Sequence, residues 1–258
     1  MPSVVHLIPN PILRVLSSMQ RHQVQALLMG GQACIFYGAA EFSRDTDLAI
    51  LASADNLARL NSALAELQAQ LIAVPVLSIE FLERGHGVHF RCQAEGVVGM
   101  RVDVMSVLRG LPPFPQIWSR RTTVTGPDAT FELMALPDLV TAKKTQRDKD
   151  WPMVRRLIEA NYFQNRATPT ETQVRFWLLE LRTPPLLIEV AQANESLRRS
   201  IERERPLLAL AEPAREHDLA EALLAEERLE RERDRIYWLP LKAELEQLRH
   251  ARRGGDGQ

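Results

Sequence analysis

A chain of 258 residues, 45% hydrophobic and 25% charged, can bury a core either as one large domain or as a core domain with an appendage. A formal net charge of -1 excludes a polyanion-binding surface over the whole molecule, while a local basic patch stays open. No apolar run approaches the roughly 18–20 residues needed to cross a bilayer, so no membrane association is expected. The opening stretch "MPSVVHLIPNPILRVL" lacks a basic start followed by a long apolar run, and no signal peptide is expected. The only cysteines, Cys34 and Cys92, lie far apart without metal-type spacing and read as reduced, buried thiols of a cytoplasmic protein.

Taken in chain order, "NPILRVLSSMQRHQV" reads as a short amphipathic helix after Pro11, with Leu13, Val15 and Leu16 on its apolar side. "ALLM" is a buried strand, and Gly30-Gly31 turns it into a helix of small residues, "QACIFYGAA". An acidic strand from Asp45 to Leu51 follows. "SADNLARLNSALAELQAQL" carries Leu57, Leu60, Leu64 and Leu67 at helical spacing. "IAVPVL" reads as a short strand, and "GVHFRCQAEGVVGMRVDVMSVL" as a hairpin turning near Glu95-Gly96. "RTTVTG" is one more strand.

From Leu136 the pattern becomes helical. "LPDLVTAKKTQRDKDWPMVRRLIEANYF" holds two helices, the second starting near Asp150 with Pro152 in its first turn. Thr168-Pro169 marks a boundary. Beyond it lie several Glu/Arg/Leu/Ala-rich helices, broken at Pro206, Pro213 and Pro240.

The fold class expected is therefore α/β (α+β): a small mixed sheet flanked by helices, with an all-helical C-terminal region. The expected division is a core over residues 1–130, a helical connector over 131–167 that completes the cleft, a helical region over 168–253 and a disordered tail over 254–258.

The chemistry centres on Asp45 and Asp47. If both lie on one strand, residues i and i+2 share a face, so the two carboxylates leave side by side while Thr46 points the other way. Two such charges repel unless a cation lies between them, and carboxylate oxygens are the preferred ligands of hard divalent ions. Gly30-Gly31 would let a phosphate approach backbone N–H groups at a helix start. The Ser43 hydroxyl, two residues before Asp45, could bond a phosphate oxygen. In "MRVDVMSVL", Asp103 stands where a core strand would carry an aliphatic residue, and a buried unpaired carboxylate is costly. Beside Asp45 and Asp47 it would complete a three-carboxylate metal cage.

The order G-G, then S-x-D-x-D, then one Asp on a later strand resembles the nucleotidyltransferase superfamily of polymerase-beta type. "LPDLVTAKKTQRDKDWPMVRRL" is similar to the segment following the core in small bacterial members, which include toxins of abortive-infection and toxin–antitoxin systems. The resemblance covers about residues 20–160.

It implies magnesium-dependent transfer of a nucleoside monophosphate from a nucleoside triphosphate such as ATP to a hydroxyl. The acceptor could be a tRNA end, another RNA, a protein side chain or a small molecule. Asp45 and Asp47 would hold magnesium on the triphosphate. Asp103 would ligate a second metal and help deprotonate the acceptor. Gly30, Gly31 and Ser43 would hold the β- and γ-phosphates, and Lys143 or Lys144 would neutralise charge. An antitoxin, or a second copy of the chain, could dock on the C-terminal helices.

Plainer readings stand beside these. The acid pair could be a solvated strand end, Gly30-Gly31 an ordinary turn, and "KKTQRDKD" a solvated face with Asp150 as a helix cap. Asp103 could sit on the polar face of a half-buried strand, paired with Arg101, which has the same parity. His86 and His89 lack a third ligand nearby and read as packing or surface residues. Trp151, Trp177 and Trp238 read as core or interface anchors. The nearly charge-balanced stretch from Ala214 to Arg253 reads as a solvated helical surface. A catalytically silent protein of the same fold, binding a nucleotide or a partner, is the alternative function.

Overall fold

The computed structural model describes residues 10–40, 45–125 and 130–255. Its architecture is mixed α/β. A seven-stranded sheet has the order β3-β4-β5-β2-β1-β7-β6. The strands are β1 Ala26–Met29, β2 Thr46–Ile50, β3 Gln70–Leu71, β4 Val88–Arg91, β5 Arg101–Met105, β6 Thr122–Thr125 and β7 Thr130–Leu133. β1 runs antiparallel to β2, whereas β2 with β5 and β1 with β7 are parallel pairs. β4 is antiparallel to both β3 and β5, and β6 to β7.

The described residues form two compact units. Those up to Phe36, from Ala40 to Ala142 and from Ile236 onward make the first; Tyr37–Ala39 with Lys143–Arg235 make the second. The contacts therefore divide the chain at points other than 130 and 167, and they group the end of the chain with the sheet. No described helix is long and apolar enough to cross a membrane.

In the first unit, helices α1 (Asn10–Arg21) and α3 (Ala54–Glu66) lie together, and the buried Ser18 hydroxyl donates to the Ala63 carbonyl at 3.3 Å. The buried faces follow the apolar periods: Ile12, Val15, Leu16 and Met19 on α1, and Leu57, Leu60 and Leu64 on α3. Ser53 caps α3, its hydroxyl accepting from the Asn56 N–H. The expected hairpin forms, with Arg91 opposite Arg101 and with Gly96 and Gly99 at positive φ in its turn.

Several elements differ from the sequence reading. No strand forms over "IAVPVL", residues 72–77; the two-residue β3 ends just before it, at Leu71. Pro75 has no N–H to give to a sheet. β7, and the short helices α4 (Ile79–Glu83) and α5 (Phe114–Ser119), were not anticipated, because segments of four to six residues carry too little periodicity.

Buried thiols behave as expected. Cys34 and Cys92 are free and buried, and burial pushes the Cys92 thiol up to about 11. Neither should therefore react with a disulfide-exchange reagent at about pH 8 in the folded protein, and both should react in denaturant. Rapid labelling of the folded chain would contradict this burial.

The second unit is helical: α7 (Asp150–Asn165), α8 (Glu171–Glu180), α9 (Pro184–Ala193), α10 (Glu195–Ile201) and the first part of α11 (Glu216–Gly255), with 3-10 turns at Pro206–Leu210 and Pro213–Arg215. α6 (Leu136–Lys143) ends where the first unit gives way to this one. Trp177 is 2% exposed, packs edge-on to Tyr162 at 5.1 Å and donates to Asn161 at 2.8 Å. Trp151 is also buried and donates to the Thr145 carbonyl at 2.8 Å.

Pro206 and Pro213 open 3-10 turns, but Pro240 lies inside a continuous α11. One missing N–H there, toward the Ile236 carbonyl, does not offset the surrounding helical bonds. The tail expected from residue 254 begins within that helix, which runs to Gly255.

Candidate functional site

Asp47 lies on β2 and Asp103 on β5, and the parallel register makes them direct partners. Both sit on the more open face. Along β5, Val102 and Val104 are buried while Arg101, Asp103 and Met105 are half-buried. Along β2, Thr46 is fully buried between half-buried Asp45 and Asp47, so the two acids share a side opposite Thr46. β2 itself begins at Thr46, one residue later than expected, with Asp45 at the bend before it. Continuing the register by one residue sets Asp45 level with Arg101.

Gly30 follows β1 at φ +67, and an ideal Cβ there would stand 1.8 Å from Asp47 Oδ2. The Asp47 carboxylate thus lies directly against the glycine backbone. The need for glycine at 30 comes from this contact and from the left-handed backbone. Gly31 is the next residue of the seven-residue helix α2 (Gly30–Phe36), and Cys34 Sγ donates to the Gly30 carbonyl at 3.1 Å. Ser43 lies outside the described residues.

Asp103 is not an orphan acid in a core. Its side chain is 17% exposed. Oδ2 accepts from Arg101 Nη2 at 2.8 Å, while Oδ1 lies 3.2 Å from the same nitrogen and 2.9 Å from His89 Nδ1. His89 is the cross-strand partner of Asp103. The polar-face reading of Asp103 therefore describes its surroundings. His89, read as a packing or surface residue, is a neighbour of the site. The signal was present in the hairpin register, which brings H-x-R on β4 opposite R-x-D on β5.

A divalent cation suits these acids unequally. Asp45 and Asp47 offer hard oxygen donors on one side of β2. Asp103 already has both oxygens engaged by cationic or N–H groups. Among the described residues, no three His, Cys, Asp or Glu side chains stand together as a metal-binding group. Asp103, held by Arg101 and His89, does not complete a cage in this arrangement.

Lys143 and Lys144 belong to the second unit and are ion-paired within it. Lys143 Nζ lies 3.4 Å from Asp150, and Lys144 Nζ lies 2.6 Å from Glu180 Oε2. Asp150 also accepts from Thr145 at 2.6 Å and Arg147 at 2.7 Å. It occupies the first turn of α7 and makes no side-chain cap, contrary to the capping reading.

Burial works to raise the Asp150 carboxyl, but Lys143, Thr145 and Arg147 together outweigh it and hold the group below its ordinary value. A folded-state value below the unfolded one contributes stability that is present above the unfolded pKa. That stability is lost as pH falls through the folded value. Asp150→Asn should therefore weaken the acid limb of thermal stability below about pH 4. An unchanged limb in melts down that range would contradict it.

His86, fully buried, lies 2.7 Å from Glu244 Oε2, and Arg84 pairs with the same carboxylate. The hydrogen bond to His86 is the main cause holding Glu244 below its ordinary value. These contacts tie the C-terminal part of α11 to the α4–β4 turn, so His86 has a structural partner, and among the described residues it belongs to no group of three metal-type side chains.

The chain matches no protein-family model, and no curated protein matches it. Among solved structures, an antigenic nucleotidyltransferase-like protein from Paracoccidioides brasiliensis is similar over 86% of this chain and 94% of its own. The identity is 17% and the TM-score 0.41.

Proposed function

We propose that the chain is a magnesium-dependent nucleotidyltransferase, moving a nucleoside monophosphate from a nucleoside triphosphate to a hydroxyl. The observation that carries this reading is the meeting of Asp47 and Asp103 across parallel strands, with Asp45 on the same side of β2. Asp45 and Asp47 would hold the ion. Bound magnesium would neutralise the triphosphate and ease departure of pyrophosphate.

Gly30 supports Asp47 by leaving room for its carboxylate. The roles of Gly31 and Ser43 toward the phosphates, of Lys143 and Lys144 in neutralising charge, and of Asp103 as a third acid of the site are those the sequence resemblance implies. The acceptor, whether RNA, protein or small molecule, and a toxin-type activity in the cytoplasm belong to the same proposal, as does an antitoxin or a second copy on the C-terminal helices. The engaged state of Asp103 favours one second reading, a silent nucleotide- or partner-binding protein of this fold. Incubation with labelled nucleoside triphosphates and magnesium in cell extract separates the two, since only the first reading moves label to an acceptor.

A further inference from the structure

Asp103 and its neighbours suggest a different division of labour from a three-acid cage. The proposal rests on the nucleotidyltransferase reading. We propose that Arg101, positioned by Asp103 and His89, together with Arg91, forms the phosphate-binding subsite, and that Asp103 does not ligate a second metal ion.

Four observations carry it. First, the Arg101 guanidinium lies 2.8 Å from Asp103, and a second divalent cation on that carboxylate would stand within a few ångströms of a permanent positive charge. Second, both contacts to Asp103 use Nη2 alone, so that pair leaves the other guanidinium nitrogens unused. The side chain is 38% exposed, so N–H donors remain for a ligand. The planar fork matches phosphate oxygens.

Third, Arg91 is the direct cross-strand partner of Arg101 and is exposed. Like charges directly opposite each other destabilise a sheet unless an anion lies between them. Fourth, His89 bonds the Asp103 oxygen from the neighbouring strand and so fixes the carboxylate that fixes Arg101. The result is a row in which β2 supplies the metal-binding acids and β4 and β5 supply cations for the phosphate chain.

The test uses the full chain, manganese as a magnesium probe and inorganic tripolyphosphate as a base-neutral phosphate chain. Electron paramagnetic resonance counts bound manganese, and calorimetry gives tripolyphosphate affinity. One manganese ion per chain is expected in the wild type, and in Asp103→Asn as well, whereas Asp47→Asn loses it. Asp103→Asn and Arg101→Gln should each weaken tripolyphosphate at least about tenfold. Arg101→Lys should recover part of that loss. Arg91→Gln, at an exposed position where folding is not at issue, should weaken it in the same direction.

Two manganese ions in the wild type falling to one in Asp103→Asn would overturn the proposal. So would unchanged tripolyphosphate affinity in Arg101→Gln and Arg91→Gln. A wild type that binds neither probe would sink the nucleotidyltransferase reading itself, a result distinct from both.

Discussion

Asp47→Ala should lose nucleotidyl transfer by at least about 10²–10³-fold while keeping its fold. A triphosphate must be neutralised where its bond to the leaving pyrophosphate breaks, and a carboxylate that holds the neutralising ion acts where the demand is greatest. Each ~1.4 kcal/mol of lost transition-state stabilisation is a factor of ten, so the loss of one ligand removes detectable turnover. The fold should survive because Asp47 sits on the open face of β2, with Leu48 and Ile50 supplying the buried side. Its removal should leave the circular dichroism spectrum unchanged and shift stability by about 1 kcal/mol or less. Activity near wild type in this variant would remove the acid pair from the mechanism.

Gly30→Ala should damage the protein at the same place by the opposite route, adding an atom instead of removing charge. The backbone there is left-handed, which costs an L-residue roughly 1–2 kcal/mol. The new methyl would also meet Asp47 Oδ2 at 1.8 Å and Cγ at 2.5 Å, so either the strand end or the carboxylate must move. Overpacking of this kind costs about 1–3 kcal/mol, giving about 2–5 kcal/mol in total. A lower urea midpoint at unchanged slope is the expected reading, together with loss of whatever Asp47 does. A variant with wild-type stability and activity would show that Asp47 does not need its seat on Gly30.

The parts of this arrangement legible in the sequence are those that depend on period two. Alternation alone sets Asp45 and Asp47 on one side with Thr46 on the other, and the hairpin from Val88 to Met105 follows from two alternating runs and a glycine turn. What the alternation hides is partnership. A lone Asp in "MRVDVM" reads equally well as a metal ligand or as the mate of Arg101, because both need it on the same face. Strand order decides its neighbours: His89 comes to it only because β4 pairs with β5, and Asp47 only because β5 lies beside β2.

The helical half was legible in kind but not in continuity. Pro240 reads as a break, yet the forty-residue α11 absorbs it, and its last turns join the first unit through Glu244 with His86 and Arg84. Residues some 160 positions apart carry no local signal of that meeting. The lysine helix shows the same limit: "KKTQRDKD" is a charge run in sequence, whereas Asp150 is 3% exposed and gathers Lys143, Thr145 and Arg147 around it.

The claim that the β2–β5 face transfers nucleotides is tested most directly by label position. Each common ribonucleoside triphosphate, labelled at the α-phosphate in one sample and the γ-phosphate in another, is incubated with the full chain, magnesium and cell extract. Transfer of α-label to an acceptor, without γ-label, abolished by chelator and by Asp47→Ala, is the predicted result. No transfer of α-label from any of them, or transfer that persists in Asp47→Ala, would contradict it.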